Sequence, residues 1–229
     1  YKSLNKTNET FYKNIFSLKS GHNLKIDLNL DLQESQYWKP TMQINNQLTQ
    51  KDAVDQTRIL LNKSLSLRLR SDVPLAFCLS GGIDSSLLAS IAKKKLNKDI
   101  STFSIIDEDE RYSEADSIQL INNDLQCNSK LIYLKHNKES FLDKLKQLTS
   151  YHDGPVATLS YYIHSFLSQH ISKAGFKVAI SGTGADEIFT GYYDHFLLHL
   201  GTLKKSKLFN KNLKYWKKFI EPLIRNPSL

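Results

Sequence analysis

The sequence predicts an α/β fold, a parallel sheet with helices on both faces, from three observations. Short apolar runs (LAFCL, STFSII, KLIYL and FKVAIS) alternate with longer segments of helical period, the pattern of parallel strands joined by helical crossovers. Two of these runs, at residues 75–79 and 176–181, end directly in glycine-bearing loops. At 229 residues, 40% hydrophobic and 24% charged, the chain can bury a sizeable core in one or two domains and is not broadly disordered.

The elements follow in order. Residues 1–40 read apart from the rest: HNLKIDLNLDLQESQYW alternates apolar and polar at Leu24, Ile26, Leu28 and Leu30, which predicts strands, with turns at Gly21 and Asn29–Asp31. Pro40 marks a boundary, 43–51 is a polar linker, and 41–229 forms the second region. Val54, Thr57, Leu61 and Leu65 share one face of a helix over 51–70 that ends before Pro74. Beyond the strand LAFCL come a helix over 85–95, a strand over 101–106 and a helix over 114–125, where Ser113 and Asp116 form a capping-box pattern. A strand over 130–134, a helix near 138–148, the loop HDGPVATL, a helix over 160–173 stopped by Gly175 and a strand over 176–181 complete the alternation.

Composition narrows the partners. The net charge of +8 gathers in KKKLNK (93–98) and KKSKLFNKNLKYWKK (204–218), which read as solvated faces; no arginine stripe interleaves with aromatics, so nucleic acid is not an expected partner. Cys78 and Cys127 form no CxxC pair and suit a reducing compartment. There is no signal-peptide pattern and no apolar run of membrane-spanning length, so the expected location is cytoplasmic, with no membrane partner.

The chemistry lies in the two loops. Glycines after a strand let backbone amides approach a ligand closely, and the following helix adds positive potential. In LSGGIDSS (79–86) the hydroxyls of Ser80, Ser85 and Ser86 can donate to phosphate oxygens, whereas Asp84 would repel phosphate unless a cation such as magnesium lay between them. This is neither a Walker loop, since GxxxxGK[ST] is absent, nor a nucleophile elbow, since Cys78 stands where glycine is needed. An ordinary strand-to-helix turn, with Asp84 or Ser85 as N-cap, is the bland alternative. SGTGADEIFTGY (181–192) repeats serine, glycine and acid at a second strand end, so a parallel sheet would deliver both sets to its carboxyl edge, where ligands bind.

LSGGIDSS followed by SGTGADEIFTGYY resembles the synthetase domain of the glutamine-hydrolysing asparagine synthetases, members of the N-type ATP pyrophosphatases with their SGGxDS fingerprint. The likeness extends to TFSII (102–106), YSEA (112–115) and HDGP (152–155), and FYKNIFSLKSGHNLKIDLNL…YW is similar to the end of the family's glutaminase domain. The resemblance implies an adenine nucleotide alpha hydrolase-like fold preceded by the tail of a glutaminase-like β domain at 1–40. It implies ATP contacts at Leu79, Ser80, Gly81, Gly82, Asp84, Ser85, Ile105, Ser181 and Gly182, magnesium on Asp84 and Asp186, and catalytic roles for Asp84, Asp186, Thr183 and Glu187. The implied reaction adenylates a carboxylate, aspartate first among the candidates, and transfers ammonia from glutamine; a homodimer is the assembly to test.

Many relatives carry glutamate where this chain has Thr183, which supplies a hydroxyl but no base and leaves the acceptor acid open. Amidation of a peptide or surface-polysaccharide precursor, or RNA modification by the same pyrophosphatase loop, stand as alternatives, as does a non-catalytic scaffold. The chain starts at Tyr1 without the N-terminal cysteine nucleophile, so it is not expected to hydrolyse glutamine itself. His195 and His199 share a helix face without a third ligand and read as incidental; Glu187 can pair with a lysine or cap a helix. His152-Asp153 either orients substrate or stabilises its loop, and Tyr161, Tyr162 and Phe166 read as helix packing.

Overall fold

The computed structural model describes residues 8–41, 45, 47–109, 113–134, 139–156 and 158–224. Tyr112, Lys138, Ala157, residues 43, 44 and 46 of the linker and the last five residues of the chain lie outside that set. The chain divides into two compact units, residues 1–61 with 139–165 and residues 62–138 with 166–229.

In the first unit, β1 (His22–Ile26) and β2 (Leu32–Gln36) pair antiparallel, as the alternation predicts. The turn is wider than expected: Asp27 Oδ1 accepts from the N–H groups of Asn29 and Asp31, and Leu30 adopts φ 67°. Leu24, Ile26, Leu28 and Leu30 stay exposed, so the alternation marks pairing but no buried face. Helix α1 (Gln50–Arg68) opens with a box the sequence reading overlooked, in which Thr49 and Asp52 exchange hydrogen bonds with each other's backbone N–H. Of its expected core face, Leu65 is buried while Val54 is exposed. The unit also holds α4 (Phe141–Tyr151), N-capped by Ser140, and the start of α5 (Leu159–Lys173), where Tyr162 meets Phe141 and Tyr161 stays exposed.

The second unit is built on a four-stranded sheet in the order β5-β4-β3-β6. Its members are β3 (Leu75–Cys78), β4 (Ser101–Ile106), β5 (Asn128–Tyr133) and β6 (Val178–Ile180), all parallel. From β3 to β5 the chain steps one way through α2 (Ile83–Ser90) and α3 (Ala115–Leu125), then returns to β3's other side at β6. Right-handed crossovers put helices on opposite faces when the direction of stepping reverses. Contacts agree. On one face Thr102 donates to Asn122 of α3 at 2.8 Å; on the other, Ile171 of α5 packs with Ala76, Phe103 and Ile132. Phe77 and Phe103 are each 2% exposed, and burying such a side chain contributes roughly 1.5–3 kcal/mol.

Several boundaries differ from expectation for local reasons. The helix expected over 85–95 begins at Ile83, and its last turn, Ile91–Lys95, is a π-helical turn that the chain leaves through Asn97 at φ 49°. The capping box of Ser113 and Asp116 does not form: Ser113 Oγ accepts from Ala115 N–H instead, and Glu114 is the N-cap. Edge strand β6 is three residues long, shorter than the run expected over 176–181, and pairs with β3 alone. Helices α6 (Ala185–Phe189), α7 (Tyr193–Thr202) and α8 (Phe209–Phe219) follow; α8 carries the lysine run on a largely exposed surface.

Candidate functional site

The site lies where the strand order reverses, between β3 and β6, which is where ligands bind in open parallel sheets. Pairing of Leu75, Ala76 and Phe77 with Val178, Ala179 and Ile180 brings Leu79 level with Gly182 as both strands run out. Pairing of Cys78 with Phe103, continued two residues, brings Ile105 level with Ser80. Leu79, the 80–85 loop, Ile105, Ser181 and Gly182 thus share one carboxyl edge, as the sequence predicts.

The first loop is tied by its own hydroxyls. Ser85, 7% exposed, accepts from Ser80 N–H at 3.0 Å, donates to Ser80 O at 3.1 Å, and sits 3.0 Å from Ser80 Oγ. Ser80 Oγ accepts from Gly82 N–H at 3.2 Å, and Ser86 Oγ donates to Gly82 O at 2.6 Å. Ser85 and Ser86, read from the sequence as able to donate to phosphate, thus have hydroxyls that hold the loop's own backbone. Helix α2 begins at Ile83 behind Gly82, whose position has no side-chain cap, so neither Asp84 nor Ser85 is the N-cap. Asp84 instead stands in the helix's first turn, and among the described residues its carboxylate has no hydrogen-bond or ion-pair partner.

The second loop touches the first. A Cβ built on Gly182 would come within 2.8 Å of Ser85 N and 2.9 Å of Asp84 Cβ, so only glycine permits this approach. Gly184 turns the chain at φ 98° into α6, and Asp186 occupies that helix's first turn. The Asp186 carboxylate lies against Gly191, where a Cβ would overlap it. Ser181 Oγ donates to Thr183 Oγ1 at 3.0 Å, and both residues are exposed.

Glu187 neither caps a helix nor pairs with a lysine among the described residues. It accepts from Tyr192 Oη at 2.8 Å, a bond that holds its carboxyl below the usual range and pushes the Tyr192 hydroxyl up. Tyr192 was quoted in the sequence as the last residue of SGTGADEIFTGY and given no role there. Also overlooked was Glu114, whose Oε2 accepts from Gly81 N–H at 3.2 Å. Beneath the site, burial raises the Cys78 thiol above its ordinary 9.0.

Other candidates have local partners of their own. Asp153, at φ 50°, accepts from Tyr12 Oη at 3.4 Å within the first unit, and Gly154 packs on Phe11, which favours the loop-stabilising reading of HDGP. His195 stacks edge-on against Tyr192 at 5.2 Å. Among the described residues no three His, Cys, Asp or Glu side chains gather to hold a metal, and no helix is long and apolar enough to cross a membrane.

Comparison with known proteins agrees with the chemistry of this edge. The family model described as asparagine synthase matches residues 56–223. The chain therefore belongs to the asparagine synthase family. It is similar to asparagine synthetase (glutamine-hydrolyzing) 1 of Bacillus subtilis (strain 168), 33% identical over 61% of this chain and 21% of that protein. Asparagine synthetase (glutamine-hydrolyzing) 2 of the same organism is 29% identical over 83% of this chain and 27% of the relative. Amidase chyE of Penicillium rubens is 26% identical over 80% and 30% respectively. The chain thus spans about a fifth to a third of the length of these relatives. Among solved structures, an NH3-dependent NAD synthetase from Campylobacter jejuni aligns with TM-score 0.39 at 17% identity, covering 79% of this chain and 90% of that one. The fold assignment rests on strand order and the family match instead.

Proposed function

We propose that this chain is the ATP-binding synthetase part of an amide-forming enzyme, with residues 1–40 the tail of a preceding glutaminase-like domain. The observation that carries the reading is the contact at Gly182, which brings two serine–glycine–aspartate loops from adjacent strands onto one edge. Backbone and hydroxyl donors of Ser80–Ser85, Ser181 and Gly182 would hold the nucleotide's phosphates, with Leu79 and Ile105 beside the base. Asp84 and Asp186 would act where negative charge is densest.

The donor set fits magnesium. Two carboxylates without partners among the described residues offer hard oxygen ligands, and magnesium takes few protein ligands and completes its shell with phosphate and water. The absence of a third acidic, histidine or cysteine ligand among the described residues suits an ion that arrives with the nucleotide. When bound, such an ion neutralises polyphosphate charge and polarises the α-phosphoryl group.

In the proposed reaction an acceptor carboxylate oxygen bonds the α-phosphorus, the α–β bridging bond breaks, and pyrophosphate departs. Ammonia then bonds the acyl carbon, the bond to AMP breaks, and a proton leaves the nitrogen. The chain's contribution is positioning and electrostatic preorganisation. Thr183 provides a hydroxyl beside Ser181 and no base, so proton removal falls to another group. Aspartate is the first acceptor to test. The Thr183 position, together with similarity to an amidase, favours as second reading a different carboxylic acid. A cytoplasmic location and a homodimer belong to the same proposal.

The test is ATP titration of the protein with magnesium, alongside a pyrophosphate-release screen over carboxylic acids beginning with aspartate. Binding is expected to collapse in Asp84→Ala and Asp186→Ala. Undiminished affinity in both variants contradicts the reading.

A further inference from the structure

Three backbone N–H groups of the first loop have acceptors, and the acceptors differ in kind. Ser80 N–H is held by Ser85 Oγ and Gly82 N–H by Ser80 Oγ, both neutral hydroxyls of the same loop and helix. Gly81 N–H is held at 3.2 Å by Glu114 Oε2, a carboxylate brought from the start of α3. A phosphate oxygen approaching that amide meets an anion already on it.

The entry to α3 cannot simply back away. A Cβ on Gly81 would lie 2.9 Å from Glu114 Cβ and 2.8 Å from Ser117 Cβ, so loop backbone and helix start are in close contact. The carboxyl end of Glu114 is different: the residue is exposed, and its side chain can rotate into water without moving the helix.

We propose that Glu114 is a charge gate on the polyphosphate subsite, its carboxylate competing with phosphate for Gly81 N–H so that nucleotide binds well only when accompanied by a divalent cation. This rests on the ATP-binding reading above. A phosphate oxygen without a cation must displace the carboxylate while repelled by it. With a cation, the extra positive charge offsets that repulsion, whether Glu114 swings out or turns toward the ion. Selection of cation-bound over free nucleotide is thereby assigned to a residue that lies outside both glycine loops. A purely structural clamp makes the opposite demand: its loss would loosen the loop and weaken nucleotide binding with and without the cation.

The experiment is calorimetric titration of the 229-residue protein with ATP, once in excess EDTA and once in excess magnesium, for wild type, Glu114→Gln and Glu114→Ala. Gln keeps the size and an acceptor oxygen while removing the charge, and Ala frees the amide. Metal-free ATP is expected to bind about tenfold tighter in Glu114→Gln and at least as much tighter in Glu114→Ala, while magnesium–ATP changes by less than about threefold. Metal-free affinity that is unchanged or weaker, or that rises equally in both conditions, overturns the gate. So does a Gln variant that unfolds, because the charge would then be structural. Wild-type protein that binds no magnesium–ATP removes the underlying reading, and the inference with it, before any variant is compared.

Discussion

The loops after β3 and β6 use the same few residue types but are stabilised in different ways. In the first, Ser85 is buried and its hydroxyl, with that of Ser80, ties Ser80 and Gly82 into a fixed turn. In the second, Ser181 and Thr183 bond only each other's neighbourhood, both exposed, and the turn depends on Gly184 at φ 98°. The first loop is preorganised from within; the second is held by what it leans on, Gly182 against Asp84 and Ser85. A donor shell that binds phosphate benefits from rigidity, since no ordering is needed when the ligand arrives. Under the proposed function the second loop would also face the acceptor substrate, which gives it reason to stay adaptable.

The comparison can be broken most directly at the contact. Gly182→Val forces a side chain into the Asp84–Ser85 backbone, and overpacking of that kind costs about 1–3 kcal/mol. Denaturant unfolding should show that loss together with abolished nucleotide binding; a valine variant of wild-type stability would mean the loops do not press together. Next in size is Ser85→Ala, which leaves Ser80 N–H without its acceptor and removes the tie between the ends of the loop. Ser80 is exposed, so water can serve the freed N–H; what is lost is the net worth of the Ser85 hydrogen bonds, about 0.5–1.5 kcal/mol each, and a modest fall in melting temperature is expected. The matching change in the second loop, Ser181→Ala, should have little effect on melting, because its partner is exposed.

The smallest effect is expected at Tyr192→Phe. The Tyr192 hydroxyl holds the Glu187 carboxyl below its ordinary 4.5, so the folded state has the lower value. Stability from that bond is present above the unfolded value and is lost as pH falls through the folded one. Because Glu187 is exposed, the change is slight, and a carbon NMR titration of its carboxyl will detect it better than melting. The Phe variant should titrate higher than wild type, toward the ordinary value; an unmoved midpoint would show that the hydrogen bond does not form in solution.

Much of the sheet was legible because its signals are local. STFSII and KLIYL are apolar enough to mark strands, the first interior and the second at an edge, and glycines after 79 and 181 announce the loops. The loop positions of Asp84 and Asp186 were legible because each follows its glycines closely in the sequence. What escaped depends on side chains meeting across the chain. Glu114 was quoted within YSEA, but nothing in its neighbours tells that its carboxylate reaches a residue 33 positions earlier. Tyr192 was quoted with its loop, but nothing around it tells that its hydroxyl meets Glu187. The backbone bonds of Ser85 and Ser86 were not legible for a related reason: a hydroxyl can serve ligand or backbone, and sequence does not say which. The apolar alternation of β1 and β2 reported pairing correctly, but alternation alone does not say what covers a face.

The measurement closest to the centre of this account is a double-mutant cycle on magnesium–ATP affinity, using wild type, Asp84→Asn, Asp186→Asn and the double variant. If two strand ends converge on one polyphosphate and its ion, the losses will be coupled, departing from additivity by more than about 0.5 kcal/mol. Losses that simply add would mean the two aspartates act at separate places, and the shared site would have to be given up.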